Sequence, residues 1–278
     1  MLGTVKKSLS QISSKWRSKW QLQKVGRLEF QAENLRKFTE AELVSIFKSE
    51  EIERHWQLAK QRLQEVCRIE DLTTDGVNTG DRRAIWYLVH ALRPKSILEC
   101  GTHVGASTIH LASAMKSVHD ATQEPWKITT LDIYDVNDGP ESYWKKYGLA
   151  LSPRQMMAEY GCESHVEFLP EPSLSYLPRC QDRFDFIFLD GDHTSSTVYR
   201  EIQIALQRLN KNGVILLHDF FPDHRPLWKN GSMVYGPYEA AKRLKSESVP
   251  IRVIPLGKLP WETKLNSHLT SLAIASHA

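Results

Sequence analysis

Short apolar runs alternate with amphipathic segments from about residue 80 onward, and this pattern predicts an α/β domain. Strands that alternate with helices of about 10–15 residues indicate βαβ units, so the predicted fold is a doubly wound, mainly parallel sheet. No helical pattern separates the last two apolar runs, which allows them to pair antiparallel. The predicted strands are 96–100, 127–133, 166–169, 184–190, 213–218, 251–254 and 272–275, and the predicted helices cover 83–92, 106–115, 196–209 and 238–245.

The N-terminal part of the chain is polar and helical in pattern. Val5, Leu9, Ile12, Trp16 and Trp20 recur at spacings of three or four residues, which places them on one face of a helix. Such an apolar stripe is typical of a helix that packs against protein. We therefore expect this helix to dock on the body of the protein or on a second subunit, which makes a homo-oligomer the expected state.

The positive charge of the chain is concentrated in the same N-terminal arm. Residues 1–28 contain seven Lys and Arg and no Asp or Glu, whereas the net charge of the whole chain is +3. A basic amphipathic helix with tryptophans also suits an anionic membrane surface, which is the less favoured alternative. A second helical pattern covers about 39–66. We predict a basic helical extension at 1–72 followed by the α/β domain at 73–278.

Composition excludes several other classes of protein. The hydrophobic share of 41% and the charged share of 25% are those of a globular chain. No apolar stretch is long enough to span a membrane, and no apolar segment follows Lys6 and Lys7 as a secretory signal requires, so the expected location is the cytoplasm. Four scattered cysteines without a CxxC pair predict reduced thiols. Outside the arm no basic surface is evident, so no nucleic acid partner is expected.

Acidic residues close several of the predicted strands. Glu99, Asp132 and Asp190 end three strands, and Asp219 follows His218 at the end of another. Ligands of open parallel sheets bind beyond the carboxyl ends of the strands. Like charges that gather at one edge cost stability unless a ligand or cation offsets them. These residues are therefore the candidates for binding and chemistry.

The turn after the first strand carries two glycines. Gly101 permits a tight turn, and Gly105 lets a backbone approach closely before a helix begins. The spacing differs from the dinucleotide fingerprint GxGxxG, because His103 and Ala106 stand where its second and third glycines would be. A side chain at 103 crowds a diphosphate, which disfavours NAD. Asp132 is then a candidate acceptor for ribose hydroxyls, although a turn or helix-cap aspartate is also common.

Several motifs, taken in order, resemble one family. Glu99–Ser107 reads Glu-x-Gly-x-x-x-Gly-x-Ser and is similar to the first motif of class I S-adenosylmethionine-dependent O-methyltransferases. The segments 184–193 and 212–219 resemble the subgroup of macrocin O-methyltransferases and cephalosporin-hydroxylase-like proteins. The resemblance covers about residues 75–275 and implies a seven-stranded, mainly parallel, Rossmann-like sheet with an N-terminal helical extension.

The resemblance also implies where S-adenosylmethionine would bind. The methionine half of this cofactor would lie over Gly101 and Gly105, with Ser107 available to its carboxylate. The ribose would meet Asp132, and the adenine would lie near Ser173, which follows Glu171-Pro172 in the way of the family's adenine-side segment. Ser173 is equally suited to begin a helix. The expected cofactor-binding residues are Glu99, Gly101, Thr102, His103, Gly105, Ser107, Asp132, Ser173 and Asp190.

The resemblance assigns a reacting end to the site. Related enzymes hold a divalent cation such as Mg²⁺ with acidic residues at positions that match Asp190 and Asp219. The expected third ligand is replaced here by Phe220, so that Asp192 or water would have to substitute, or no metal binds. His193 matches the general-base position, with a structural role at the strand–helix turn as the alternative. His218 is expected to orient Asp219. Asp190 and His193 are the predicted catalytic residues.

The expected function is methylation of a hydroxyl on a small molecule such as a sugar, a phenol or another natural product. Specificity is expected in the aromatic segments 134–151 and 220–238. Two other classes of function stay open: an NAD-linked oxidoreductase on a similar sheet, and a non-catalytic module that retains the fold.

Overall fold

A computed structural model describes residues 16–67, 76–140 and 142–278 of the chain. Its centre is one seven-stranded sheet with the strand order β3-β2-β1-β4-β5-β7-β6. Strands β1 to β5 pair parallel, and β7 pairs antiparallel with both β5 and β6. The predicted doubly wound sheet and the antiparallel final pair are confirmed. The strands are β1 (Ser96–Cys100), β2 (Lys127–Asp132), β3 (Val166–Pro170), β4 (Phe184–Leu189), β5 (Leu209–Leu217), β6 (Ile251–Pro255) and β7 (Ala273–His277).

Helices cover both faces of this sheet. The strand order reverses between β1 and β4, so a crevice forms beyond the carboxyl ends of these two strands. The helix α1 covers 16–23 within the described residues. The other helices are α2 (Glu40–Phe47), α3 (Glu50–Cys67), α4 (Thr79–Leu92), α5 (Ala106–His119), α6 (Tyr143–Lys146), α7 (Pro153–Tyr160), α8 (Ser173–Arg179), α9 (Ser195–Gln207) and α10 (Gly236–Ser246).

The alternation of side chains along the strands divides the core into two layers. In β4, Phe186 and Phe188 point to one face, and Ile187 and Leu189 point to the other. The layer that contains Phe186 lies between the sheet and helices α2–α5 and α7, and we call it the first core layer. The second core layer contains Ile187, where the sheet meets α8–α10. Both faces are buried, which explains why these strands are continuous apolar runs.

The segment before α4 packs on both faces of the sheet. Phe38 and Trp56 belong to the first core layer, and Leu22 and Leu35 to the second. Leu35 also forms a parallel bridge with Gly213 of β5. The N-terminal part of the described chain therefore shares its core with the sheet.

Helix α1 contacts the body through a face other than the predicted stripe. The carbonyl of Ser18 accepts a hydrogen bond from the Ser195 hydroxyl, and Leu22 is buried. Trp16 and Trp20 are 70% and 56% exposed, and the Lys24 ammonium lies 3.3 Å from the centre of the Trp20 ring. The rest of the predicted stripe, Val5, Leu9 and Ile12, lies outside the described residues.

All four cysteines are buried and unbridged, as predicted. Cys67 and Cys162 lie in the first core layer, and Cys100 and Cys180 in the second. Burial raises the pKa of Cys67 and of Cys162 to about 12. None of the helices in the described part of the chain has the length and apolar character needed to cross a membrane.

Candidate functional site

A cavity of about 470 Å³ opens beyond the carboxyl ends of β1, β2 and β4. We call it the first cavity. It brings together residues that are far apart in sequence, from the turn after β1 to the end of β5. Its wall includes most of the predicted site residues, namely Gly101, Thr102, His103, Ser107, Asp132, Ser173, Asp190, His193 and Asp219.

Two glycines with positive φ angles shape the turn between β1 and α5. Gly101 has a φ of 104°, and a Cβ there would lie 2.3 Å from the carbonyl oxygen of Asp190. Gly105 has a φ of 77°, and a Cβ there would lie 2.9 Å from the Cβ of Pro153. Both positions therefore require glycine. The close approach predicted at Gly105 is made by the start of α7.

The Asp132 carboxylate fixes this turn from β2. Its Oδ2 accepts a hydrogen bond from the backbone N–H of His103 at 2.9 Å, and its Oδ1 accepts one from the N–H of Tyr134 at 3.2 Å. The His103 ring packs against the Tyr143 ring with centres 4.3 Å apart. Each carboxylate oxygen can accept more than one hydrogen bond, so Asp132 keeps capacity for ligand hydroxyls.

Glu99 lies beneath the first cavity and outside its wall. Its Oε2 accepts hydrogen bonds from the hydroxyls of Thr108 and Thr130, both at 2.6 Å, and Ser107 contributes a further side-chain hydrogen bond to this carboxyl. Burial raises the pKa of Glu99 from 4.5 to about 7, against these hydrogen bonds, which lower it. A carboxyl in this state can both donate and accept.

Ser173 begins α8 and lines the opposite side of the first cavity. Its hydroxyl donates to the Glu201 carboxylate. Burial raises the pKa of Glu201 to about 7. Ser173 is therefore a wall residue whose hydroxyl is bonded to protein, and its place beside an adenine stays a prediction.

The two buried glutamates predict a pH-dependent stability. The folded pKa of Glu99 and of Glu201 is about 7 against an ordinary value of 4.5, so the unfolded chain releases these protons first as pH rises. The free energy of unfolding should fall between about pH 4.5 and pH 7, by up to about 3 kcal/mol for each group. Urea titrations at pH 5 and pH 7.5 measure this slope. Glu201→Gln should flatten it, and the exposed control Glu163→Gln should not; an equally steep slope in Glu201→Gln contradicts the assignment.

A buried histidine stands between three carboxylates at the end of β5. His218 donates through Nδ1 to Asp190 Oδ1 at 2.9 Å and through Nε2 to Asp81 Oδ2 at 3.3 Å. Asp219 Oδ1 lies 3.5 Å from the same Nδ1. Burial alone would lower the pKa of His218. The charges of Asp190 and Asp219 and the hydrogen bonds outweigh burial and raise that pKa well above its ordinary value. His218 is therefore an internal cation that holds Asp190 and Asp219 in place.

His193 stands at the mouth of this cluster. Its Nε2 lies 3.5 Å from Asp219 Oδ2, and its side chain is 36% exposed. Each of the residues Asp190, His193 and Asp219 offers one possible metal-ligand atom. These three atoms lie within 4.8 Å of one another, so the residues could hold a metal ion.

Asp192 and Phe220 are the two positions that left the metal prediction open, and the structure shows the contacts of both. Asp192 accepts from the Thr194 backbone N–H at 2.8 Å and from the Thr197 hydroxyl at 2.8 Å, and is not part of that group. Phe220 is 3% exposed and packs against the Tyr238 ring. Neither residue joins the group of Asp190, His193 and Asp219.

Sequence reasoning missed the contribution of α4. The helix begins at Thr79 instead of 83, and its N-cap Asn78 exchanges hydrogen bonds with Asp81. That cap orients Asp81 toward His218. An Asn followed three residues later by an acidic residue is a helix-start signal that would have placed Asp81.

Comparison with known proteins shows what this domain is similar to. Residues 98–220 match the family described as a methyltransferase domain, and this range runs from β1 to just beyond β5. The strand order 3214576 is the one typical of the methyltransferase fold.

Two curated O-methyltransferases are similar in sequence to part of this chain. The chain is 25% identical over 187 residues to the O-methyltransferase hkm8 of Aspergillus hancockii, which covers 66% of both proteins. It is 30% identical over 139 residues to a caffeoyl-CoA O-methyltransferase of Stellaria longipes, or 48% of both proteins. The chain thus spans between about half and two thirds of the length of these two curated relatives.

Solved structures share the fold. The O-methyltransferase TomG of Streptomyces achromogenes, in complex with S-adenosylmethionine, superimposes with a TM-score of 0.51 at 18% identity and covers 83% of this chain and 91% of TomG. An O-methyltransferase of Bacillus cereus in complex with S-adenosylhomocysteine gives 0.51 at 17% identity, covering 83% and 92%. At this level of identity the likeness concerns the fold.

Proposed function

We propose that this chain transfers a methyl group from S-adenosylmethionine to a hydroxyl oxygen of a small molecule. One observation carries the proposal: the turn fixed by Asp132 and the group of Asp190, His193 and Asp219 face the same cavity. A methyl donor and an oxygen nucleophile must meet within one site in this way. The motifs also favour the macrocin and cephalosporin-hydroxylase-like subgroup, whose resemblance is described above.

The described residues fit the cofactor. The turn at Gly101 lies directly against the backbone of Asp190 in the cavity wall, and Ser107 belongs to the same wall. Asp132 would accept hydrogen bonds from the ribose hydroxyls. Glu99 lies buried beneath this wall and shares a side-chain hydrogen bond with Ser107. When bound, S-adenosylmethionine supplies an electrophilic methyl group to this site.

His193 would act as the general base. Its imidazole is partly exposed at the cavity wall, so it can reach an acceptor hydroxyl and take its proton. Asp219, 3.5 Å from His193 Nε2, would stabilise the imidazolium that results. His218 would then hold the Asp219 carboxylate in this orientation, because the hydrogen bond from His218 Nε2 to Asp81 fixes the opposite side of the His218 ring.

Asp190 and Asp219 would hold a divalent cation. Carboxylate oxygens are the ligands that Mg²⁺ prefers, and the two residues sit at the ends of neighbouring strands. Such an ion would lower the pKa of an acceptor hydroxyl beside His193. The three carboxylates around His218 leave net negative charge at the site, which a cation would offset.

Calorimetric titration with S-adenosylhomocysteine tests the proposed function. We expect micromolar binding to the wild-type chain and a roughly 10–100-fold loss in Asp132→Ala, because hydrogen bonds to a charged group contribute about 1.5–3 kcal/mol. Asp138→Ala, an exposed aspartate in the following loop, is the matched control and should bind normally. Binding of NAD in place of S-adenosylhomocysteine would overturn the proposal, and absence of both would favour a non-catalytic module.

A further inference from the structure

A second cavity of about 490 Å³ adjoins the first. The two share part of their walls, including Asn78, Asp219, Trp228 and Lys264. The second cavity continues away from the turn after β1, toward the first turn of α4 and the segment after β5. A molecule placed there would therefore reach the reacting end of the site from the side opposite the cofactor.

Arg82 forms part of the wall of the second cavity, where it is a buried cation without a counterion among the described residues. The side chain is 1% exposed, and its Nη2 donates to the Thr79 hydroxyl at 2.9 Å. Its Nε and Nη1 have no hydrogen-bond partner among the described residues. Burial lowers the pKa of Arg82 to about 10. Isolated buried charges are costly, so natural proteins pair them.

The position of Arg82 in its helix increases the free-energy cost of burying its charge. It lies in the first turn of α4, where the backbone N–H groups already give the helix end a positive potential. A cation is disfavoured there and an anion is favoured. The same two features, the guanidinium and the helix end, would both stabilise one negatively charged group in the cavity.

A second cation and an aromatic wall lie across the second cavity. The Lys264 ammonium sits 3.7 Å from the centre of the Trp228 ring, and Trp228 packs edge-on against Phe221. The Trp228 Nε1 is buried without a partner among the described residues. Asp219 is the only acidic residue among the described residues of this wall. The wall thus carries two cations against one carboxylate, beside a flat apolar surface.

We propose that the second cavity binds an acceptor that carries a carboxylate, with Arg82 and Lys264 holding the carboxylate and Trp228 covering the body of the molecule. The inference rests on the proposed methyl transfer and gives its substrate class: a hydroxy acid, held so that its hydroxyl faces Asp219 and His193. Arg82 acts here through its buried positive charge in the cavity wall, which favours an anionic group beside it, and Lys264 offers an exposed ammonium at the rim.

The test compares acids with their amides, which differ in charge and little in shape. Binding of 3,4-dihydroxybenzoate and 3,4-dihydroxybenzamide, and of 4-hydroxyphenylacetate and its amide, is measured by calorimetry with S-adenosylhomocysteine at saturation. We expect at least one acid to bind tenfold or more tightly than its amide. If no pair shows such a preference while S-adenosylhomocysteine binds, the inference is overturned and the proposed function stands. If S-adenosylhomocysteine itself fails to bind, the proposed function falls, and with it the inference.

Variants show whether the preference comes from the two cations. Arg82→Met should reduce the preference below threefold without lowering the melting temperature of the ligand-free protein, because it removes an uncompensated buried charge. Lys264→Gln should reduce the preference several-fold, and Lys264→Arg should restore it. Lys242→Gln, an exposed lysine whose ammonium lies 5.9 Å from the Tyr238 ring and outside both cavities, is the matched control and should change nothing.

Two results would contradict the assignment. One is an acid preference that survives in folded Arg82→Met, and the other is a melting temperature that drops in this variant while ligand binding is unchanged, as expected of a purely structural arginine. If Arg82→Met does not fold, the comparison of Lys264→Gln with Lys264→Arg decides, because Lys264 is exposed at the rim.

Discussion

Asp190→Asn is expected to lower kcat/KM for methyl transfer about 10³-fold, which corresponds to roughly 4 kcal/mol. Asp190 accepts the 2.9 Å hydrogen bond of His218 and belongs to the group that could hold a metal ion. Asparagine keeps the shape and the hydrogen bond but removes the negative charge that the cation and the His218 imidazolium require. The release of S-adenosylhomocysteine with an acceptor that wild-type protein methylates measures this effect.

A titration with Mn²⁺ separates the effect of the Asp190 charge on the His218 imidazolium from its effect on metal binding. Asp190→Asn should weaken Mn²⁺ binding at least tenfold. Asp192→Asn should leave it unchanged, since Asp192 lies outside the group of Asp190, His193 and Asp219. The asparagine Oδ1 can still accept from the Thr194 N–H, and its Nδ2 can donate to the Thr197 hydroxyl. His193→Ala should keep most of the Mn²⁺ affinity if the imidazole is the base. A loss in His193→Ala as large as in Asp190→Asn would instead make His193 a ligand, and unaltered binding in Asp190→Asn would remove the metal from this site.

Gly101→Ala is expected to reduce the free energy of unfolding by about 4 kcal/mol. Two costs combine: alanine strains a φ of 104°, and its Cβ would lie 2.3 Å from the carbonyl oxygen of Asp190. Relief of this clash requires the ends of β1 and β4 to separate, so binding of S-adenosylhomocysteine should weaken as well. Urea unfolding followed by circular dichroism measures the loss of stability.

Gly161→Ala is the control that isolates the clash. Gly161 has a comparable φ of 74°, but nothing lies within 4 Å of the place of its Cβ. Only the backbone cost of about 1–2 kcal/mol should appear there. Equal losses in the two variants would show that the ends of β1 and β4 have room for a methyl group.

The strands were predictable because both of their faces are buried. In β1 every residue after Ser96 is buried, and in β4 every residue except Asp185 is buried, which produces short runs dominated by apolar residues. The pattern failed where the backbone is irregular. The strand predicted to begin at 213 begins at Leu209 instead, and within it Asn212 has a φ of 61° and the register with β4 shifts.

Short helices were harder to foresee than strands. Helix α7 was not predicted, although Ser152 and Gln155 form a capping box and Pro153 opens the helix. Eight residues are too few for a helical period to stand out from its surroundings. The capping residues were the only usable signal.

The site was predictable where the residues close strands, and not where a helix supplies them. Asp132, Asp190 and Asp219 follow strands, so topology alone brings them to one edge of the sheet. Asp81 meets His218 across 137 residues of sequence, and Arg82 faces the second cavity from the same turn. No local spacing encodes these contacts, because they depend on how α4 packs on the sheet.

The distribution of thiols gives each face of the sheet its own chemical reporter. Cys67 and Cys162 are shielded on one side, Cys100 and Cys180 on the other, and burial keeps the pKa of Cys67 and of Cys162 near 12. A disulfide reagent reacts with thiolate and needs access, so the native protein should be nearly inert to it. Under mild denaturant, the order in which the four cysteines are labelled would therefore record which face opens first.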